Sequence, residues 1–114
     1  MDAALLASAR ATLEAERDRL RAELAEEIES PGQMTYGSQA AAATHVFEQQ
    51  RDLALRERAQ LHLAQVEAAL ARLDEGRWGI CRRCGNPIAD ERLEALPWAA
   101  YCISCQQVVD REGR

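Results

Sequence analysis

Residues 81–105 read CRRCGNPIADERLEALPWAAYCISC, and the two Cys-x-x-Cys pairs at its ends, Cys81 with Cys84 and Cys102 with Cys105, decide what the fold must hold. Seventeen residues separate Cys84 from Cys102. Each Cys-x-x-Cys turn aims two sulfurs at one point, and two such turns at this interval supply the four thiolates of a tetrahedral zinc site. Gly85, next to the first pair, suits a tight turn that needs positive φ. The second pair has no such glycine and runs into Gln106-Gln107-Val108-Val109, the start of a short terminal helix. Four thiolates leave no coordination position for water or substrate, so the reading is a single structural Zn²⁺ on Cys81, Cys84, Cys102 and Cys105. Disulfides would require an oxidising compartment, and Met1–Leu6 is neither basic nor long enough for a signal peptide. A redox Cys-x-x-Cys would require a βαβ context that the chain does not have.

Upstream of Gly76 the pattern changes to long helices. Asp2 to Glu29 contains no Gly or Pro, and Leu6, Ala9, Leu13, Leu20, Leu24 and Ile28 recur at helical spacing, which predicts helix 1 over about 2–29. Ser30-Pro31-Gly32 breaks it and opens a turn over 30–38. Ser38 is an N-cap candidate for helix 2, about 39–75, whose seam of Ala59, Leu63, Val66, Leu70 and Leu73 steps four, three, four, three. Extended backwards, that seam meets Arg56 and Asp52, with Val46, Leu53 and Leu55 off register, which predicts a stutter near 55–60. Gly76 is the expected C-cap. Two helices joined by so short a turn fold back as an antiparallel hairpin. The division is therefore 1–75, a helical hairpin, and 76–114, a four-cysteine zinc module with a short terminal helix, in a mainly α protein.

Composition agrees. The chain has 114 residues, and 22 of its apolar positions are Ala while only five residues are aromatic, so a large globular core or a deep catalytic pocket is excluded in favour of close helix packing. All 14 basic residues are Arg, and the net charge of −5 argues against affinity that rests on phosphate neutralisation. That charge is concentrated upstream: residues 1–75 carry 8 Arg and 14 acids, residues 76–114 carry 6 Arg and 5 acids. Four thiolates with Zn²⁺ would lower the net charge by a further two. No apolar run is long enough for a membrane helix, and the expected compartment is the cytoplasm.

The string Gly76-Arg-Trp-Gly-Ile-Cys81-Arg-Arg-Cys84-Gly85-Asn-Pro-Ile88, with Arg92-Leu93-Glu-Ala-Leu-Pro97 and Cys102-Ile-Ser-Cys105-Gln106, resembles the DksA/TraR family of C4-type zinc-finger proteins. Upstream, Phe47-Glu-Gln-Gln-Arg-Asp-Leu-Ala-Leu-Arg56 and the helix to Leu73 look like the second coiled-coil arm of that family, particularly its short, general-stress or sporulation-associated branch. The resemblance implies a hairpin with a zinc module at its base that binds the bacterial RNA polymerase core, entering the secondary channel so that its tip approaches the catalytic centre. The polymerase-facing tip would be Tyr36, Gly37, Ser38, Gln39 and Ala41. DksA-like members carry two aspartates three apart, followed by Ala, at this place; here Tyr36, Gln39 and Ala41 align there and neither acid is present. Glu26, Glu27 and Glu29 are the nearest carboxylates and read as a solvated helix face.

His45 and His62 sit mid-helix with no ligand constellation around them and are expected to be exposed. Trp78 and Trp98 flank the cysteines and are expected to cover the zinc module or the hairpin base. Arg77, Arg82, Arg83 and Arg92 could form a basic face, diluted by Asp90, Glu91 and Glu94, which weighs against direct nucleic-acid binding. No paired carboxylates, Ser/His/Asp set or phosphate loop offers a catalytic centre. The leading expectation is a monomeric, non-enzymatic transcription regulator. The alternatives are a zinc-stapled coiled-coil adaptor that binds another protein or itself, and a DNA-binding zinc finger.

Overall fold

A computed structural model describes residues 2–26 and 39–113. Its elements are α1 (Ala3–Ala25), α2 (Gln39–Asp74), α3 (Asp90–Ala95) and α4 (Ile103–Glu112). The β pairing among the described residues is a single antiparallel bridge between Ile80 and Pro87. The molecule measures 61 × 31 × 20 Å, with a radius of gyration of 19.0 Å. A compact domain of this length would have a radius of about 13 Å. It is a mainly α protein built on a helical hairpin, with the four cysteines gathered at one end.

The apolar stripes pack as their spacing predicts. Ala9, Leu13 and Leu20 of α1 and Ala59, Val66, Ala69 and Leu70 of α2 are buried against each other, flanked by the partly buried Leu6, Leu24, Leu63 and Leu73. The same cluster continues into Trp78, Cys81, Ile88, Leu93 and Cys105, so the hairpin seam and the cysteine-bearing segment share one core. Polar contacts across the seam fix the direction of the arms. Arg10 pairs with Asp74 at 2.9 Å, Arg21 with Glu67 at 2.9 Å, and the Arg56 guanidinium donates to the Glu26 carbonyl at 3.2 Å. Partners descend along α2 as they ascend along α1, which makes the pair antiparallel. Arg56, where the apolar register of α2 fails, is half-buried and satisfies a backbone carbonyl just past the end of α1.

The helix ends follow local chemistry. Asp2 caps α1, its carboxylate accepting from the Ala4 N–H at 3.1 Å. The first helix stops at Ala25, short of the expected 29, because Glu26 already has extended backbone (φ −70°, ψ 136°). Its last turn holds no basic residue, and Glu23 and Glu26 place negative charge at the negative end of the helix dipole, which disfavours continuing the helix. Ser38 and the expected turn over 30–38 lie outside the described residues. The second helix ends at Asp74, one residue before the expected 75, in a Schellman cap: the Gly76 N–H bonds the Leu73 carbonyl at 3.2 Å and the Arg77 N–H bonds that of Arg72 at 2.9 Å. Gly76 takes φ +74°, which an L side chain would resist.

The outer part of α2 differs from the part near the cysteines. Val46, Phe47, Leu53 and Leu55 are exposed, Phe47 at 70%. The seam becomes continuous only from Ala59 onwards.

Candidate metal centre

The chain reaches the first cysteine pair through a sequence of turns. Gly79 and Gly85 have φ of +87° and +78°, as the tight path requires. The Ile88 N–H donates to the Gly79 carbonyl at 2.8 Å and the Cys81 N–H to that of Asn86 at 2.8 Å, closing a loop around Cys81 and Cys84. Within it the Gly85 N–H returns to the Cys81 carbonyl at 3.0 Å. The second pair is built differently: Cys102 is the N-cap of α4 and Cys105 lies in its first turn, where the Gln106 N–H bonds the Cys102 carbonyl at 2.8 Å. The terminal helix therefore begins at Ile103 and contains the second cysteine of its pair. This is why no glycine is needed there.

Two fastenings bring the pairs together. The Arg82 N–H donates to the Ala100 carbonyl at 2.9 Å, joining the first loop to the segment before Cys102. The buried Trp78 indole donates to the Pro97 carbonyl at 2.8 Å, satisfying its polar edge while its ring fills the base. Trp98 lies edge-on to the His62 ring, with centroids 4.6 Å apart, and so links the segment to α2. Both tryptophans thus sit where their flanking positions predict.

The four sulfurs lie within 4.8 Å of one another, Cys84 and Cys102 at 3.9 Å. A tetrahedron with Zn–S bonds of about 2.3 Å has S···S edges of about 3.8 Å, so the donor set fits Zn²⁺ in both chemistry and spacing. No other such group of metal-ligating side chains occurs among the described residues. Cys81 and Cys105 are buried, Cys102 half-buried and Cys84 exposed. Burial opposes ionisation of Cys81, but the backbone around Cys84, Cys102 and Arg83 and the Cys84 thiol hydrogen-bond to its sulfur and draw its pKa down to about 6. At Cys105 the Arg83 guanidinium, 3.7 Å from the sulfur, favours the thiolate, yet burial and the other three sulfurs outweigh it and push the pKa up to about 11. Four thiols this close cannot all ionise without a cation among them. A dication removes that conflict, and its binding releases protons.

Several side chains stand apart from their expected places. His45 and His62 are half-buried rather than exposed. His62 is held by Glu16 at 3.2 Å, because the opposing arm supplies a carboxylate that local sequence does not reveal. The expected basic face is divided: Arg83 turns to Cys105, Arg92 donates to the Tyr101 carbonyl at 3.0 Å, and Arg77 pairs with Glu75. Of the expected tip residues, Tyr36, Gly37 and Ser38 lie outside the described residues, Gln39 opens α2, and Ala41 is an exposed position on it. Sequence reasoning passed over Arg72, which is buried at the junction of α2 with the cysteine-bearing segment.

The pattern described as the prokaryotic dksA/traR C4-type zinc finger matches residues 76–111. The RNA polymerase-binding transcription factor DksA of Escherichia coli is 30% identical over 112 residues, 96% of this chain and 74% of that protein. The chain belongs to the DksA/TraR family. Its full length superposes on transcription factor DksA2 from Pseudomonas aeruginosa with a TM-score of 0.80 at 29% identity, covering 89% of that chain. YteA of Bacillus subtilis is 39% identical over 72 residues, 61% of this chain. The chain spans only 35% and 30% of the length of the first two curated relatives it matches, from Aquifex aeolicus and Bacillus subtilis. The DksA/TraR zinc-finger match spans all four cysteines, both tryptophans and the Trp78–Pro97 bond. No helix among the described residues is long and apolar enough to cross a membrane.

Proposed function

We propose that this DksA/TraR member is a cytoplasmic, monomeric, non-catalytic transcription regulator that docks on the bacterial RNA polymerase core. The hairpin enters the secondary channel, and one Zn²⁺ on Cys81, Cys84, Cys102 and Cys105 holds the base at the channel rim. The observation that carries this reading is a long helical hairpin whose seam runs without interruption into a four-cysteine cluster. An α2 of 36 residues rises roughly 54 Å at 1.5 Å per residue, the shape of a probe rather than of a pocket. The tip, around Tyr36, Gly37, Ser38, Gln39 and Ala41, faces the catalytic centre in this arrangement. Lacking the paired aspartates of DksA-like members, it is expected to occupy the channel without their effect on open-complex lifetime.

Co-purification of the zinc-loaded chain with core polymerase, and photo-cross-linking from Ala41, test the proposal. The expected result is saturable binding with Ala41 cross-linked inside the channel, weakened by changes over 36–41. Absence of binding at micromolar concentration overturns it.

The exposed apolar residues of outer α2, Phe47 foremost, favour a second reading, an adaptor whose coiled coil pairs with itself or another protein. Sedimentation separates the two, since a stable dimer supports the second reading and a monomer the first.

A further inference from the structure

The two buried sulfurs of the cysteine cluster are supported by different donors. That of Cys81 is met by backbone groups of Arg83, Cys84 and Cys102. The sulfur of Cys105, in the first turn of α4, is met by a side chain, the Arg83 guanidinium, whose Nη1 lies 3.7 Å away. This contact crosses the site. Arg83 belongs to the first Cys-x-x-Cys turn and Cys105 to the second, so one side chain joins the two halves that must converge on a metal. The neighbouring arginines are engaged elsewhere: Arg77 pairs with Glu75, Arg92 donates to the Tyr101 carbonyl, and Arg72 and Arg82 line the cleft beside α2. The Glu112 carboxylate of α4 attracts the Arg83 charge as well, but the guanidinium gives its hydrogen bond to the sulfur.

We infer that Arg83 is a positioning residue for the metal: its hydrogen bond to Cys105 ties the second cysteine pair to the first and slows the release of a bound Zn²⁺. Four thiolates around one dication carry an excess of two negative charges, and that excess makes each sulfur easier to displace. A charge-assisted hydrogen bond offsets part of it and fixes the direction of the sulfur, as partners of metal ligands do in general. Backbone donors cannot serve Cys105 in the same way, because it lies inside a helix whose N–H groups are turned to carbonyls, that of Gln106 to Cys102 among them. The inference rests on the reading of the four cysteines as a zinc site and is independent of polymerase docking.

Two measurements on the full chain test it: transfer of Zn²⁺ from the loaded protein to an excess of a chromophoric chelator, and the absorption spectrum of the Co²⁺-substituted protein. Arg83 is exposed, so Arg83→Gln should fold. It should release Zn²⁺ about three to ten times faster than the wild type, less than loss of a buried partner would cause, because water screens an exposed guanidinium. In the Co²⁺ protein the same variant should move the sulfur-to-metal charge-transfer band to longer wavelength, since the sulfur lone pairs lose the hydrogen bond that stabilised them. Arg83→Lys keeps a charge and a donor and should recover part of both effects. Arg82→Gln, in the same turn and of the same charge change, should match the wild type. An unchanged release rate in Arg83→Gln, an equal acceleration in Arg82→Gln, or faster release with no shift of the Co²⁺ band overturns the role of Arg83 alone. A wild type that takes up neither ion overturns the zinc reading and this inference with it.

Discussion

The hairpin arms and the cysteine-bearing segment are held by different physics, although they share one core. The arms are long helices, 23 residues in α1 and 36 in α2, whose seam buries Leu13 and Val66 completely. The cysteine-bearing segment has helices of 6 and 10 residues and a single β bridge. Helices shorter than about 12 residues are marginal in water by themselves. Its buried apolar side chains are few, chiefly Trp78, Ile88 and Leu93. Where the chain cannot bury enough to order itself, four sulfurs converge. The contrast teaches that apolar seam and metal site are alternative ways of offsetting conformational entropy, each used where the other is unavailable.

The contrast is tested most severely by removing the metal. Chelation, or Cys81→Ser, should expose Trp78 to quenchers and abolish the near-ultraviolet signal of the base, while most of the far-ultraviolet helical signal survives. Structural zinc binding is worth on the order of 10 kcal/mol, more than any single side chain here can restore. Falling pH should release the ion for the same reason, because protons compete for the thiolates. On the arms, Leu13→Ala should cost about 2–5 kcal/mol, read as a drop in denaturation midpoint, since Leu13 is fully buried. Phe47→Ala, at 70% exposure, should change stability by less than about 0.5 kcal/mol. Between the two regions, Trp78→Phe removes the bond to the Pro97 carbonyl and should cost about 1 kcal/mol or more in thermal melts.

Much of this contrast is legible in the sequence because it is written in local periodicity. The Cys-x-x-Cys pairs, the stripe through Leu13 and Leu20, and the seam from Ala59 to Leu73 each follow from spacing alone. Gly76 and Gly85 announce their positive φ by position. What stays hidden depends on the opposing arm. Arg56 reads as a break in the seam, and only the fold shows that it satisfies the Glu26 carbonyl. His62 reads as exposed until Glu16 and Trp98 arrive from other elements. Arg72 carries no local signal in the sequence, yet it is buried where the first cysteine loop packs onto α2. The early end of α1 has a weaker local signal, acid at the wrong pole of the helix, which the absence of Gly or Pro obscures.

The smallest effect is on the hairpin at acid pH. A hydrogen bond from Arg19, opposed by burial and helped by the charges of Arg19 and His62, holds the Glu16 carboxyl below its ordinary pKa. A depressed carboxylate contributes stability above its unfolded value, about 4.3, and that contribution is lost as pH falls through the folded value. Melting curves of wild type and Glu16→Gln should therefore differ slightly at neutral pH and draw together as pH falls from the unfolded value through the lower folded one.

The claim that metal orders the base while the seam orders the arms is tested most directly by one titration. Zinc is added to the metal-free chain while Trp78 accessibility and helical signal are followed together with thiol reactivity. The account predicts an endpoint at one Zn²⁺ per chain, with four thiols protected, Trp78 buried and helical content only modestly raised. Burial of Trp78 without metal, or an endpoint that leaves thiols reactive, would contradict it.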